Sequence, residues 1–559
     1  MISNRIKSVD SFNEMIALIS TYETDRATLE RTLPLPLSSA WADRLKRFLA
    51  EWEETLEGVE FETLTQTGRV DYLLLRNHLA YERRQIALRE RRNIEMAHLL
   101  PFAPALLEFE AARRRMENVD PAPVADLLHG ITGQDWSRPL SPDHDGTNTA
   151  ESSATGVAKE VAYRAALATD DLLTLMRHWF TYYDGYDPLF SWWVRAPFRV
   201  LEQTLEAYAT RLREQVVGLK QGDTETIVGN PIGREALLSE LEHECIPYTP
   251  EELIAIGDRE FAWCEAEMLR ASRDLGCGDD CQLALERVKS LHVPPGQQTT
   301  LVRDLALEAI QFVEERDLVT IPPLARECWR MEMMSPERQK VSPFFLGGET
   351  IIVSFPTDGM SHERKRMSLR GNNRHFARAT VQHELIPGHH LQLYMADRHS
   401  TYRRLFHTPF YVEGWAIHWE MLLWDLGFPQ SPEDRIGMLF WRMHRCARIT
   451  FSLRFHLGEM TPQECIDFLV ERVGHERENA TGEVRRSFGG DYPPLYQCAY
   501  MLGGLQMRSL YQDLVGTGRM SAHLFHDTIL RQNAIPIELI RAELRGTELT
   551  REWTSEWRF

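Results

Sequence analysis

Eight consecutive residues, His383-Glu384-Leu385-Ile386-Pro387-Gly388-His389-His390, constrain this chain more than any other stretch. Upstream of them, Asn373 to Glu384 reads as a helix, with Phe376, Thr380 and His383 recurring at spacings of four and three. Pro387 lacks the N–H that would bond the His383 carbonyl, and Gly388 follows it, so the helix must kink or bulge there. A His-Glu pair, histidines a turn or two later and a remote glutamate are the parts of a hydrolytic zinc site: imidazoles give neutral ligands and the glutamate takes a proton from water. In the usual His-Glu-x-x-His signature the second histidine stands where this chain has Pro387.

Two histidines compete for that second position. In an ideal helix His390 returns to the face of His383 but about 10.5 Å further along the axis, at ~1.5 Å per residue, too far for two imidazoles to share one zinc at roughly 2.0–2.1 Å each. His389 lies about 240° round in an ideal helix, and a two-residue bulge at Pro387-Gly388 would restore it to the ligand face. His389 is therefore the favoured ligand, with His390 as the alternative or a group supporting one. Downstream, Tyr411 to Glu420 reads as a second helix with Glu413 and Glu420 seven residues apart on one face. Glu413 is the expected third ligand; Glu420 is its runner-up, or orients a ligand imidazole.

The rest of the chain is overwhelmingly helical in pattern. Apolar residues recur through Val70, Leu73, Leu74, Ile86 and Leu88, and similar stretches run through Leu172–His178, Phe198–Leu219, Glu251–Ala271 and Thr300–Glu315. Thr249-Pro250-Glu251-Glu252 and Thr461-Pro462-Gln463-Glu464 each put a cap, a first-turn proline and an acid ahead of an apolar run. Thr350 to Phe355 breaks the pattern: short, β-branched and bounded by Gly347-Gly348 and Pro356, it reads as a strand. Such a strand either aligns an extended substrate beside the metal or belongs to a small sheet packed on the helices. Residues 135–156, rich in Ser, Thr, Asp, Gly and Pro, form the expected linker or mobile loop between an N-terminal helical portion (1–134) and a helical body (157–559); the two portions are also compatible with one continuous domain. No fixed-period repeat is found, which argues against a solenoid.

At 559 residues with 43% hydrophobic content, 14 Trp and 24 Phe, the chain can bury a large core. A formal charge of −19 disfavours non-specific nucleic-acid binding. No apolar run approaches the roughly 20 residues of a membrane span, and the first residues lack the apolar core and cleavage site of a signal peptide. The expectation is a cytoplasmic protein, or a secreted one if a leader precedes this sequence. Eight cysteines are too few for a disulfide scaffold, and the Cys277/Cys281 pair reads as ordinary thiols. Arg485 and Arg486 can bind a substrate carboxylate bidentately, although an exposed charged helix face is the simpler reading.

At the His-Glu segment the chain resembles domain-of-unknown-function family 885, bacterial proteins, mainly helical, grouped with the His-Glu-x-x-His metallopeptidases. The family hallmark His-Glu-x-x-Pro-Gly-His-His, then leucine and glutamine, stands here as His383 to Gln392, and its Glu-Gly-Trp-Ala element as Glu413 to Ala416 with Glu420. Pro247 to Leu253, Arg445 to Arg448, His456 and Thr461 to Glu464 are similar to further family segments. Pro494, Tyr500 and Gly503 resemble its Pro-x-Gln-x-x-x-Tyr-x-x-Gly element, with Tyr496 at the glutamine position and Ser452 where a family aspartate is expected.

The resemblance implies a mainly α, zincin-like, multi-helix body with a small β element near the metal site. It implies a zinc-dependent hydrolase, most simply a metallopeptidase, with Zn²⁺ held by His383, His389 and Glu413 and with Glu384 as general base. Tyr500 is placed to donate to the developing oxyanion, or is a core tyrosine. The rival readings are an amidase acting on small acylated amino acids and a catalytically inactive peptide-binding protein. The expected partner is a peptide or small amide, with neither nucleic acid nor membrane.

Overall fold

In a computed structural model, the residues described are 13–32, 37–134, 157–221, 223, 226–339, 345, 347–490 and 492–559. The chain is mainly α, with one two-stranded parallel sheet among these residues. The expected linker, 135–156, lies outside them. The chain divides into two compact units, Met1–Glu23 with Leu56–Tyr81 and Pro231–Phe559, and Thr24–Thr55 with Glu82–Asn230.

In the second unit the helices Ala103–Arg114, Pro121–Thr132, Lys159–Tyr183 and Pro188–Arg211 bury Leu106, Leu128, Met176, Trp179, Phe198 and Leu205 in one core. Those side chains recur at helical spacing, which makes the amphipathic pattern visible in the sequence. The Tyr208 hydroxyl, carried into this core, donates to the Leu99 carbonyl at 2.8 Å, the partner that a buried phenol needs.

The first unit carries the histidine motif. Both capping boxes form as the sequence predicts: Thr249 opens helix Pro250–Asp274 and Thr461 opens helix Pro462–Phe468, each exchanging bonds with the glutamate three residues on. Helix Pro409–Asp425, bearing Glu413, crosses helix Tyr496–Tyr511, bearing Tyr500, at a pair of glycines. A Cβ on Gly414 would lie 2.5 Å from the Gly503 carbonyl carbon, and one on Gly503 would overlap the Phe410 carbonyl. Only glycine permits this backbone contact, and it brings the Glu413 and Tyr500 helices together.

Strand β1 (Arg330–Met333) pairs in parallel with β2 (Thr350–Val353), Met331 opposite Ile351. Ile351 and Val353 pack on Val381 and Leu385 beside His383, and on Leu301 and Leu305 of helix Gln298–Glu315. The sheet thus braces the histidine helix. Cys277 and Cys281 are free thiols. No described helix is long and apolar enough to cross a membrane.

Candidate functional site

Helix Arg374–Glu384 starts where the Asn373 side chain accepts from the N–H groups of His375 and Phe376 at 3.0 and 3.1 Å, an N-cap that fixes its first turn. It stops at Leu385, whose φ of −109° and ψ of −110° leave the helical region. The bulge expected from the sequence is in fact a complete break: residues 385–388 link two helices, the Ile386–Pro387 bond is cis, and His389 opens helix His389–Ala396. Two hydrogen bonds fold the link back, Gly388 N–H to the Gln382 carbonyl (3.1 Å) and His390 N–H to the Leu385 carbonyl (3.0 Å). A Cβ on Gly388 would overlap the His383 carbonyl, so this return needs glycine. Trp415 Nε1–H donates to the Pro387 carbonyl at 2.9 Å, tying the link to the Glu413 helix.

The break brings His389 beside His383. Their ring centroids are 4.7 Å apart at an interplanar angle of 88°, and one donor atom from each of His383, Glu384 and His389 falls within 4.8 Å of the others. Glu413 Oε2 sits 3.5 Å from His383 Nε2 and 3.2 Å from His389 Nε2. His383 Nδ1 faces Glu420 Oε1 at 2.7 Å, and Arg445 holds the same oxygen at 3.4 Å. A ring whose Nδ1 is committed to a carboxylate presents Nε2 as the ligand nitrogen. His390 turns away, its Nε2 2.9 Å from the Ala325 carbonyl.

The donor set fits a metal ion on one observation. Glu413 Oε2 is buried and has no hydrogen-bond partner, although two imidazole nitrogens lie within 3.5 Å of it. Three lone-pair donors turned on one another in a buried space repel unless a cation or proton lies among them. Burial disfavours charge on both groups, yet their mutual attraction wins: Glu413 and Glu420 raise His383 to about 9, and His389 and His383 hold Glu413 well below the usual carboxylate range. The other Glu413 oxygen accepts from the Tyr496 hydroxyl at 2.5 Å.

Glu384 is half-buried, and its carboxylate has no hydrogen-bond partner among the described residues. Burial raises its pKa, against the pull of His383 and His389. It faces a cleft of about 260 Å³ lined also by Gly347, Gly348, Tyr492, Tyr496, Tyr500 and four arginines, but by no residue of β2. Gly347 passes so close that a Cβ there would lie 2.8 Å from the Glu384 Cβ. The Tyr500 ring lies nearly parallel to that of His383, centroids 6.3 Å apart, and its hydroxyl accepts from Arg486 at 3.0 Å. Burial pushes the Tyr500 phenol up to about 12, so it keeps its proton as a donor.

The sequence profile of a family of bacterial proteins of unknown function, DUF885, matches residues 22–544. The chain belongs to the DUF885 family. No curated protein shows significant similarity to it. Among solved structures it is similar to a candidate lipoprotein of unknown function from Shewanella oneidensis, with a TM-score of 0.66 at 19% identity, covering 95% of this chain and 99% of that one. It is also similar to a candidate lipoprotein from Colwellia psychrerythraea, with a TM-score of 0.58 at 14% identity, covering 95% and 98%. Both show the fold.

The structure also places in the cleft of this DUF885 protein residues that the motif alone does not single out. Tyr496, a departure in the family element, lies four residues before Tyr500 on the same helix face and bonds Glu413. Arg445 and Arg448 share a face of helix Pro432–His456, and both line the cleft. Arg486, expected from the sequence either to bind a substrate carboxylate or to belong to an exposed charged face, lines the cleft with its guanidinium 4.7 Å from the Tyr492 ring centroid. Ser452, at the missing family aspartate, is fully buried.

Proposed function

We propose that this protein is a zinc-dependent hydrolase, a metallopeptidase that cleaves amide bonds by attack of water, with Zn²⁺ held by His383, His389 and Glu413. The observation that carries this reading is the buried, unpartnered Glu413 Oε2 facing two imidazole nitrogens, beside a glutamate open to the cleft. A bound zinc supplies Lewis-acid polarisation of the carbonyl and makes water acidic at neutral pH.

The chain's own residues do the rest. Glu384 accepts the proton of the attacking water and passes it to the leaving amine, a task suited to a carboxyl whose pKa burial has raised. Tyr500 takes the Arg486 N–H on its oxygen, which leaves its own O–H to donate to the oxyanion. Glu420 fixes the His383 ring, and Tyr496 fixes the Glu413 carboxylate.

The test is metal content by plasma mass spectrometry, paired with a peptide-cleavage screen. Wild type and Glu384→Gln should each carry zinc near one per chain; His383→Ala and Glu413→Ala should carry little. Only wild type should turn over peptide. A zinc-loaded wild type that binds peptides without cutting any would sink the hydrolase reading, and a protein that takes up no metal on reconstitution would sink the zinc site as well.

A further inference from the structure

Four arginines, Arg338, Arg445, Arg448 and Arg486, line the cleft, and hydrolysis of an amide gives most of them no task. Two have carboxylate partners. Arg445 reaches Glu420 at 3.4 Å, and Arg448 lays Nε and Nη2 on Glu483 Oε1, each at 2.7 Å. The other two bond no carboxylate among the described residues. Arg486 spends one N–H on the Tyr500 hydroxyl, its Nε is buried without a partner, and among the described residues it bonds no carboxylate, although the Glu483 charge attracts it from the same helix. Arg338 is exposed at the rim with no ion pair among the described residues.

A buried guanidinium whose fork meets no carboxylate leaves donors unsatisfied, at a cost in free energy. Its flat fork of donors matches a carboxylate, and this one is anchored close to the reacting groups. Arg486 is bonded to the Tyr500 hydroxyl, and that ring lies within 6.3 Å of the His383 ring. Extended peptide advances roughly 3.3–3.6 Å per residue. A carboxylate held at Arg486 therefore belongs to the first or second residue beyond the bond that Glu384 serves.

Resting on the hydrolase reading for its chemistry, we propose that Arg486, assisted at the rim by Arg338, binds the free α-carboxylate of the substrate. The site then acts at the C-terminal end of short peptides or on N-acylated amino acids, not in the middle of a chain. In the reaction the water oxygen bonds to the acyl carbon and the C–N bond breaks. One water proton passes through Glu384 to the leaving nitrogen, and the released amino acid or dipeptide keeps its carboxylate on Arg486.

The experiment is calorimetric binding of a matched pair, a benzoylated dipeptide and its C-terminal carboxamide, to Glu384→Gln and to chelator-treated wild type. The acid should bind about 10- to 100-fold more tightly than the amide in both proteins. Arg486→Met should erase that gap. Arg486→Lys, which keeps the charge and loses the fork, should retain part of it, with thermal melting confirming that both variants fold. Equal binding of acid and amide, or no measurable binding of either, overturns the carboxylate site. So does a gap that disappears with the metal but survives Arg486→Met, since the carboxylate would then sit on the ion. A gap without cleavage by the zinc-loaded wild type removes the hydrolase reading and leaves the carboxylate site standing. Equal cleavage of acid and amide does the reverse.

Discussion

Two clusters of buried charge in the first unit use similar residues to opposite ends. At Asp71, every oxygen is taken: Arg403 Nε donates at 2.7 Å, and Asn13 and Tyr402 donate to the other oxygen at 2.7 and 2.8 Å. Arg403 spends its remaining donors on the Gln532 carbonyl and on Glu543. At Glu413, an oxygen is left without a donor beside two imidazoles, and Arg445, Arg448 and Arg486 each keep a buried nitrogen unpaired. Burial penalises charge in both places. The first cluster answers with internal pairing, as a part of the fold does; the second leaves donors and an acceptor unpaired beside a cleft, which is the ground for the binding role proposed above.

The largest effect should come from cutting each cluster at its centre. Glu413→Gln should lose zinc and lower turnover by 10³-fold or more, on the order of a lost metal ligand, while melting at or above the metal-free wild-type temperature. Asp71→Ala strands Arg403 and should cost about 3–5 kcal/mol of stability, with zinc per folded chain unchanged. Metal analysis and denaturant unfolding on both variants decide the matter. The contrast is wrong if Glu413→Gln unfolds the protein or Asp71→Ala releases the metal.

Hydroxyl removal sharpens the same contrast. Tyr500→Phe should lower kcat by about 10²–10³-fold, the scale of a lost oxyanion donor, with zinc content unchanged. Tyr402→Phe, which removes a donor to Asp71, should lower the melting temperature and leave kcat alone. An unchanged kcat in Tyr500→Phe would return Tyr500 to a packing role. Smaller again is Glu420→Gln. It keeps the shape but weakens the hold on His383 Nδ1, and zinc affinity, read by chelator competition, should fall about 10–100-fold. Unchanged affinity would mean that the His383 ring keeps its place without a carboxylate at Nδ1.

How far these clusters could be read in advance depends on the range of the forces involved. The Thr249 and Thr461 capping boxes are four-residue events, so the sequence displays them whole. Strand β2 alternates buried and half-buried residues and is legible; β1 is mostly exposed, with no alternation to betray it. The Pro387-Gly388 break is visible, but the choice between His389 and His390 turns on the Leu385 backbone angles and the bond from Gly388 N–H to the Gln382 carbonyl, which no periodicity encodes. Glu413 and Tyr496 meet because Gly414 and Gly503 let two helices touch; the glycines are plain in the sequence, their partnership is not. Arg486 sits in a polar, arginine-bearing helix and looks solvated until the Tyr492 and Tyr500 rings, contributed from beyond that helix, are seen beside it.

Glu244 lies between the two clusters in kind: buried like Asp71, but with one hydrogen-bond partner for its carboxylate among the described residues, the Thr408 hydroxyl that also caps the Glu413 helix by accepting from Phe410 N–H. Burial pushes its carboxyl up to about 8, against the ordinary value of 4.5. Below about pH 4.5 the folded and unfolded chains are both protonated there, and the group contributes no pH dependence. Between those values the unfolded chain ionises first, so the folded state loses stability as pH rises, by up to about 1.4 kcal/mol per pH unit. Glu244→Gln imitates the protonated side chain and removes that slope. Urea unfolding of both proteins at pH 5.5 and 6.5 should show the variant gaining about 1 kcal/mol on wild type across the interval. Parallel curves would mean that Glu244 ionises freely, and that its bond to Thr408 belongs with the fully paired charges around Asp71.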